Sequence, residues 1–315
     1  MKIVLVADIH IRIDDQPIFA TWEYQRLMLL KDEIVKQGAN EVWILGDLFD
    51  RNKPTVADIK AAFRFTEGLT VRYIEGNHER IDKHTYLLAQ LEDVLQMIRL
   101  PNFQEIEGVS ITAFGHDELD KILQASDSDI LLSHFRWSHS VFGQGEFKPM
   151  EEKRIASKYS SVILGDIHYP YQPLSNVQYI SSPYGITYSA SGDYGIALLE
   201  LSKGNHNLTL IPLNLPNKIT VTTRISLVNG LMESVGNNQN KYKILVELLL
   251  KDIDAFNRLK PPSNVTLIPK VIDASKTTKA VEKISVSTNI KDVLIGALDL
   301  PQDSREYIKD ILKEI

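Results

Sequence analysis

The chain of 315 residues contains no cysteine. That excludes a disulfide framework, a thiolate nucleophile and a cysteine-based zinc site, and leaves His, Asp, Glu and Asn as the side chains able to hold a metal. Such ligands suit manganese, magnesium or iron, with zinc also accommodated. Long apolar runs are missing as well. The longest, such as Ile244 to Leu250, fall far short of the roughly 20 residues that a helix needs to cross a bilayer. Met1 is not followed by the basic-then-apolar pattern of a secretory leader, so the expectation is a cytoplasmic chain with no membrane partner. Positive charge is not in excess either. The formal net charge is −6, without the basic character that marks most nucleic-acid binders. A nucleic-acid substrate would have to be gripped by something other than bulk charge.

What is present is enough for one large domain and a smaller one, with 43% hydrophobic and 24% charged residues. Residues 2–7, 41–45, 71–75, 129–132 and 161–164 are short and rich in Val, Ile and Leu, as strands buried on both faces would be. Helical patterns at 20–37 and 55–67 separate the first three. This βαβα order predicts a parallel central sheet with helices packed on its faces. After residue 170, strand-like pieces at 177–181, 195–201 and 207–212 suggest a second sheet and hence a sandwich. The stretch "NLPNKI" at 214–219 reads as a boundary. Beyond it, 219–228, 241–250, a helix at 251–259 and 264–272 read as a small β-α-β cap, with a Lys260-Pro261-Pro262 turn. The expected organisation is a domain at 1–215, a cap at 216–273, a polar linker at 274–289 and a helical tail at 290–315. In the tail, Ile290, Val293, Leu294, Ala297 and Leu298 follow helical spacing. After Pro301, Asp303 and Glu306 resemble a capping box, and Tyr307, Ile308, Ile311 and Leu312 repeat the stripe.

In an open α/β sheet, ligands bind beyond the carboxyl ends of the strands. Five strand ends carry polar residues: Asp8-Ile9-His10, Gly46-Asp47-Leu48-Phe49-Asp50, Gly76-Asn77-His78-Glu79, Ser133-His134-Phe135 and Gly165-Asp166-Ile167-His168. The tripeptide Asp-Ile-His therefore occurs twice. In extended backbone, residues i and i+2 point to the same side, so each copy is expected to present a carboxylate and an imidazole together. One such motif alone says little. Five in order, in a chain without cysteine, point to a metal centre.

These five motifs resemble the signature of the calcineurin-like metallophosphoesterase superfamily over residues 1–215, which implies its β-sandwich flanked by helices. "GDLFDRNKPT", "YIEGNHE" and "YISSPYGITYSASGDYGIALLEL", with a small cap and a helical tail, resemble the DNA-repair nuclease branch. That branch comprises the nuclease subunit of SbcCD-type complexes and its bacteriophage recombination counterparts. The resemblance implies two manganese ions, with magnesium a possible substitute. Asp8, His10, Asp47 and His168 would hold one, and Asp47, Asn77, His134 and residue 166 the other. His78 would be the catalytic acid. It also implies DNA as substrate, a coiled-coil ATPase of the SbcC type bound through residues 290–315, and a homodimer within the complex. Physically, two divalent ions about 3.5–4 Å apart can hold both the attacking and the leaving oxygens of an in-line displacement at phosphorus. The leaving alkoxide needs a proton, and imidazole titrates near neutrality.

The chain departs from that signature at Asp166, where relatives carry His. Two divalent ions against Asp8, Asp47 and Asp166 would leave one net positive charge, where His would leave two. The expectation is that Asp166 ligates, favours manganese or magnesium over zinc, and raises the pH optimum; the alternative is that its shorter side chain ligates through a water or not at all and the second ion binds weakly. Asp50 either ligates or orients a ligand. Arg51, Arg80 and Arg136 sit just beyond motifs and could contact a phosphate. Tyr169, Tyr171 and Tyr184 could stack on unpaired bases or pack in the core. His84, His116, His139 and His206 lack a motif and read as structural or surface residues. Two other functions fit the same motifs: a phosphatase acting on phosphoproteins or small phosphoesters, and a scaffold that has lost catalysis. Against the first, Asn52 stands where Ser/Thr phosphatases carry Gly.

Overall fold

In the computed structural model, the described residues are 1–13, 18–82, 85–137, 145–187, 193–236, 239–248 and 252–271. The linker and tail expected at 274–289 and 290–315, and His84 and His139, lie outside them. Two compact units divide the chain, one of residues 1–186 with 191–215, the other comprising 187–190 and the chain from 216 onward.

The first unit opens with β1 (Lys2–Val6), α1 (Trp22–Lys36), β2 (Glu41–Leu45), α2 (Val56–Thr66) and β3 (Val71–Ile74). It continues through α3 (Leu88–Leu95), β4 (Met97–Arg99), β5 (Phe103–Ile106), β6 (Val109–Phe114), α4 (Leu119–Ile122) and β7 (Ser128–His134). Then come α5 (Pro149–Lys158), β8 (Tyr159–Gly165), β9 (Tyr171–Leu174), β10 (Val177–Tyr179), β11 (Gly195–Ser202) and β12 (Asn205–Pro212). Two six-stranded sheets result, ordered β12-β11-β1-β2-β3-β4 and β5-β6-β7-β8-β10-β9. The β1 to β4 and β6-β7-β8-β10 runs are parallel, and antiparallel strands sit at the edges.

The "IVLV" of β1 shows why these strands are apolar throughout. Ile3 and Leu5 join Trp43, Leu45, Ile111, Ile130, Leu132 and Ile163 between the sheets. Val4 and Val6 turn the other way, onto Leu27, Leu30 and Ile34 of α1 and Ala61 and Phe65 of α2. On the outer face of the second sheet, Leu131, Val162 and Leu164 cover Ile122 and Ile155 from α4 and α5. Alternate side chains of each central strand are thus buried on opposite faces, in an α/β/β/α arrangement. Helix α2 begins in a capping box: the Thr55 side chain accepts from the Asp58 N–H, and the Asp58 carboxylate accepts from Thr55 N–H at 2.7 Å.

The expected α/β sandwich is present, with its strands allotted differently. Residues 128–134 and 159–165 belong to the second sheet, while 195–202 and 205–212 extend the first beside β1. Local periodicity tells strand from helix and does not say which sheet a strand joins. In the second unit, β13 (Lys218–Arg224) stops short of 228, and a helix the sequence did not show, α6 (Val228–Val235), precedes β14 (Lys241–Leu248). Then follow α7 (Ile253–Asn257) and β15 (Val265–Val271). The expected β-α-β piece is therefore β-α-β-α-β, three parallel strands whose Tyr242, Ile244 and Val246 pack on Val228, Met232 and Val235. Among the described residues, no helix is long and apolar enough to cross a membrane.

Candidate metal centre

The carboxyl ends of β1, β2, β3, β7 and β8 converge, and the five motifs with them. Three overlapping groups place ligand atoms within 4.8 Å of one another: Asp8, His10 and His168; His10, Asp47 and His78; Asp8, Asp47 and His134. Asp8, His10 and Asp47 each belong to two of the groups.

Backbone geometry produces this convergence in a way that the period of an extended strand does not. Among the described non-glycine residues, seven have positive φ, and four of them are Asp8 (55°), His10 (50°), Asp47 (53°) and Asp166 (84°). The first Asp-Ile-His is therefore not extended, contrary to the expectation from i, i+2 spacing. Its shape is held by bonds to the neighbouring loop: Asp8 N–H to Gly46 O at 3.2 Å, His10 N–H to Asp47 O at 3.0 Å and Ile11 N–H to Leu48 O at 2.8 Å. Such conformations cost of order 1–3 kcal/mol each and persist where surrounding contacts over-determine them.

Glu79 supplies the next constraint. Fully buried, it accepts from the N–H groups of Asp47 (3.0 Å), Phe49 (2.9 Å) and Gly76 (3.0 Å), so one carboxylate ties the loop after β2 to the loop after β3. Burial first, then the nearby Asp47, pushes its pKa up to about 7. A Cβ at Gly76 would run into Asp47, so only glycine lets the two loops close.

The ligand side chains carry large electrostatic perturbations. Asp8 and Asp47 are 0% and 1% exposed. Burial, reinforced by Asp47 and Asp166, pushes the Asp8 carboxyl well above the ordinary range. Burial opposes ionisation of Asp47 too, but His134, His10 and His78 outweigh it and hold that carboxyl well below its ordinary value. His134 is buried, yet Asp47, Asp8 and Asp166 together drive its pKa well up. His168 is pushed down to about 4 by burial and then by His10. Burial likewise opposes ionisation of Asp50, and His10 and Arg12 overcome it and lower its pKa.

These groups fit divalent cations. Among the described residues, neither ring nitrogen of buried His10 makes a hydrogen bond, although Asp47 Oδ2 and Asp50 Oδ1 lie 3.6 and 3.5 Å away. The His134 Nε2 lies 3.0 Å from Asn77 Oδ1 and 3.4 Å from Asp47 Oδ2, its Nδ1 being 2.8 Å from Leu45 O. Two carboxylates withdrawn from water beside imidazoles and an amide oxygen form a hard donor set that lacks only positive charge. A family profile described as calcineurin-like phosphoesterase matches residues 1–170.

The chain belongs to the calcineurin-like phosphoesterase family.

No curated protein matches the sequence significantly. Solved structures similar to it include one from work on a novel archaeal phosphodiesterase, at 15% identity and TM-score 0.38, covering 67% of this chain and 100% of that one. A Thermus thermophilus protein shares 15% identity at TM-score 0.41, covering 66% of this chain and 98% of its own. A hypothetical protein of Pyrococcus horikoshii shares 12% at TM-score 0.38, covering 68% and 88%.

Within this calcineurin-like site, the remaining candidates fall into place. His78 N–H bonds to Asp47 Oδ1 at 3.0 Å, and its Nδ1 lies 3.0 Å from the Asp50 carbonyl. A carbonyl only accepts, so Nδ1 carries the proton of that bond and Nε2 is the nitrogen left for chemistry. Asp166 is in none of the three metal groups. Its backbone N–H bonds to both Asp8 oxygens at 3.2 Å, while its carboxylate is forked by Arg136, at 3.0 Å from Nε and 3.4 Å from the terminal nitrogen. Arg51 makes a 2.9 Å ion pair with buried Asp58 at the start of α2. Arg80 is exposed. Tyr184 cannot stack on a base: it is 3% exposed, and its hydroxyl donates to the carbonyl of Ile9 at 2.9 Å. Arg26, also buried, lies 3.7 Å over the Tyr184 ring and donates to Gly185 O at 3.0 Å. The roles of Glu79 and Arg26 had no counterpart in the sequence reading, beyond the Glu that closes "GNHE".

Proposed function

We propose that this phosphoesterase is the nuclease subunit of an ATPase-nuclease complex, hydrolysing DNA phosphodiester bonds in recombination, repair and replication with manganese as its preferred ion. The observation that carries the reading is the placement of His78 beside Asp47 with one ring nitrogen tied to Asp50. Asp8, His10, Asp47 and His168 would hold one ion, and Asp47, Asn77 and His134 a second. Bound there, divalent ions supply Lewis acidity towards phosphoryl oxygens and make water a better nucleophile at neutral pH. The protein's own part is to hold these ligands before substrate arrives and to deliver a proton. With Nδ1 fixed on the Asp50 carbonyl, protonated His78 donates from Nε2 to the departing alkoxide, a contribution of roughly 10²- to 10⁴-fold.

DNA rather than a phosphoprotein is favoured by the nuclease-like "GDLFDRNKPT" and "YISSPYGITYSASGDYGIALLEL" segments and by the second α/β unit. The net charge of −6 fits a subunit whose ATPase partner, docked on 290–315, grips the DNA. A homodimer within that complex would use an exposed groove of ≈ 390 Å³ where Phe19, Ile59, Phe63 and Val94 are joined by Lys60 and Arg64, Phe19 and Val94 being at least half exposed.

The test is cleavage of end-labelled single- and double-stranded DNA in manganese, magnesium or EDTA, with a phosphopeptide assayed in parallel. Manganese-dependent cleavage, abolished by EDTA and reduced about 10²- to 10⁴-fold in His78→Ala with metal binding retained, is expected. Phosphopeptide hydrolysis with intact DNA would overturn the nuclease reading.

A further inference from the structure

We infer that Arg136 withholds Asp166 from the second ion, so that the site holds one divalent ion firmly and a second weakly. The inference rests on the metal reading of the site above. A carboxylate at position 166 looks from the sequence like an additional hard ligand. In the fold, both of its oxygens face one guanidinium, at 3.0 and 3.4 Å, in a pair whose Asp side chain is 8% exposed and whose Arg is 33% exposed. A planar guanidinium matches a carboxylate with two parallel bonds. An ion drawing on Asp166 must therefore compete with the guanidinium for the carboxylate lone pairs or share them with a positive neighbour. In the first group, Asp8, His10 and His168 bring ligand atoms within 4.8 Å of one another, and the bond that Asp8 accepts comes from a neutral backbone N–H, that of Asp166.

The pair also revises the charge expected from the sequence. Counting Arg136 beside Asp8, Asp47 and Asp166, two divalent ions would leave two net positive charges in wild type and three in Asp166→His, where Arg136 is retained. The one-unit difference between the two proteins, and with it the higher pH optimum expected for wild type, survives the ion pair.

Calorimetric titration with Mn²⁺, alongside electron paramagnetic resonance of the bound ions, tests the inference on the full chain. Wild type, Arg136→Gln, Asp166→Asn and the double variant form a cycle. Asn tolerates the positive φ of position 166, and circular dichroism verifies that each variant is folded. Wild type is expected to bind two ions with dissociation constants at least about tenfold apart. Arg136→Gln should tighten the weaker ion by about tenfold or more and strengthen the spin-coupled signal of an ion pair. Asp166→Asn should erase that gain in the Arg136→Gln background while changing the weaker ion much less on its own. Two ions of equal affinity in wild type, with Asp166→Asn alone losing one, would overturn the inference and leave the metal centre standing. No binding by any variant would overturn the metal reading and the inference with it.

Discussion

Tyr184→Phe separates a residue that builds the site from one that touches substrate. The substitution keeps the buried ring and its contact with Arg26 and removes only the hydroxyl that donates to Ile9 O at 2.9 Å. Ile9 is itself fully buried, so its carbonyl loses this partner away from water. A buried acceptor left in that state costs about 1–2 kcal/mol. For a unit of about 200 residues, each kcal/mol lowers the melting temperature by roughly 2–4 °C, so a loss of about 2–8 °C is expected. Because Ile9 lies between Asp8 and His10, Mn²⁺ affinity should weaken several-fold as well. Differential scanning fluorimetry without metal reads the first effect, and calorimetric titration the second. Tyr194→Phe is the control: that hydroxyl is buried without a hydrogen bond among the described residues, and its removal should cost nothing. Unchanged melting and metal affinity in Tyr184→Phe would refute the reasoning, because a purely stacking role would survive in Phe.

Two further substitutions test the scaffold. Gly46 has φ +82°, and a Cβ there would collide with the His134 ring. Gly46→Ala should cost at least about 1–2 kcal/mol in urea unfolding from backbone strain alone and should abolish tight Mn²⁺ binding. Glu75 is fully buried, and burial followed by Glu79 pushes its pKa up to about 8. Since the folded value exceeds that of the unfolded chain, the protonated form is favoured by folding. Its stabilisation is complete below about pH 4.5 and fades as pH rises towards 8. Glu75→Gln should therefore gain on wild type as pH climbs from 5.5 to 8, by up to a few kcal/mol at about 1.4 kcal/mol per unit; a constant difference in urea midpoints would disprove it.

Much of this molecule was legible in its sequence. The strands at 2–6, 41–45 and 71–74 and the helices at 22–36 and 56–66 match the apolar periodicity closely, because each is buried on the faces that the period marks. The polar residues after the strands do converge. Three kinds of information were out of reach. Sheet membership depends on which strands pair, so β7 and β8 fell in a different sheet from β1. Helix α3 is only eight residues long, too short for its Leu88, Leu91 and Leu95 to establish a period, and in α5 the buried residues are Glu152 and Ile155, which draw no apolar stripe. The supports of the site join residues far apart: Arg136 to Asp166 across 30 positions, Glu79 to Asp47 across 32, and Tyr184 to Ile9 across 175.

The two Asp-Ile-His tripeptides share letters and little else. In the first, both polar residues take left-handed backbone, and the chain is laced to the Gly46–Leu48 loop by three successive bonds. In the second, Asp166 alone has positive φ, its amide is spent on the Asp8 carboxylate, and His168 stays 36% exposed. Transplanting either tripeptide into a foreign scaffold would therefore not carry its metal chemistry along. The smallest portable version of this site is a pair of laced loops together with the glutamate that staples them.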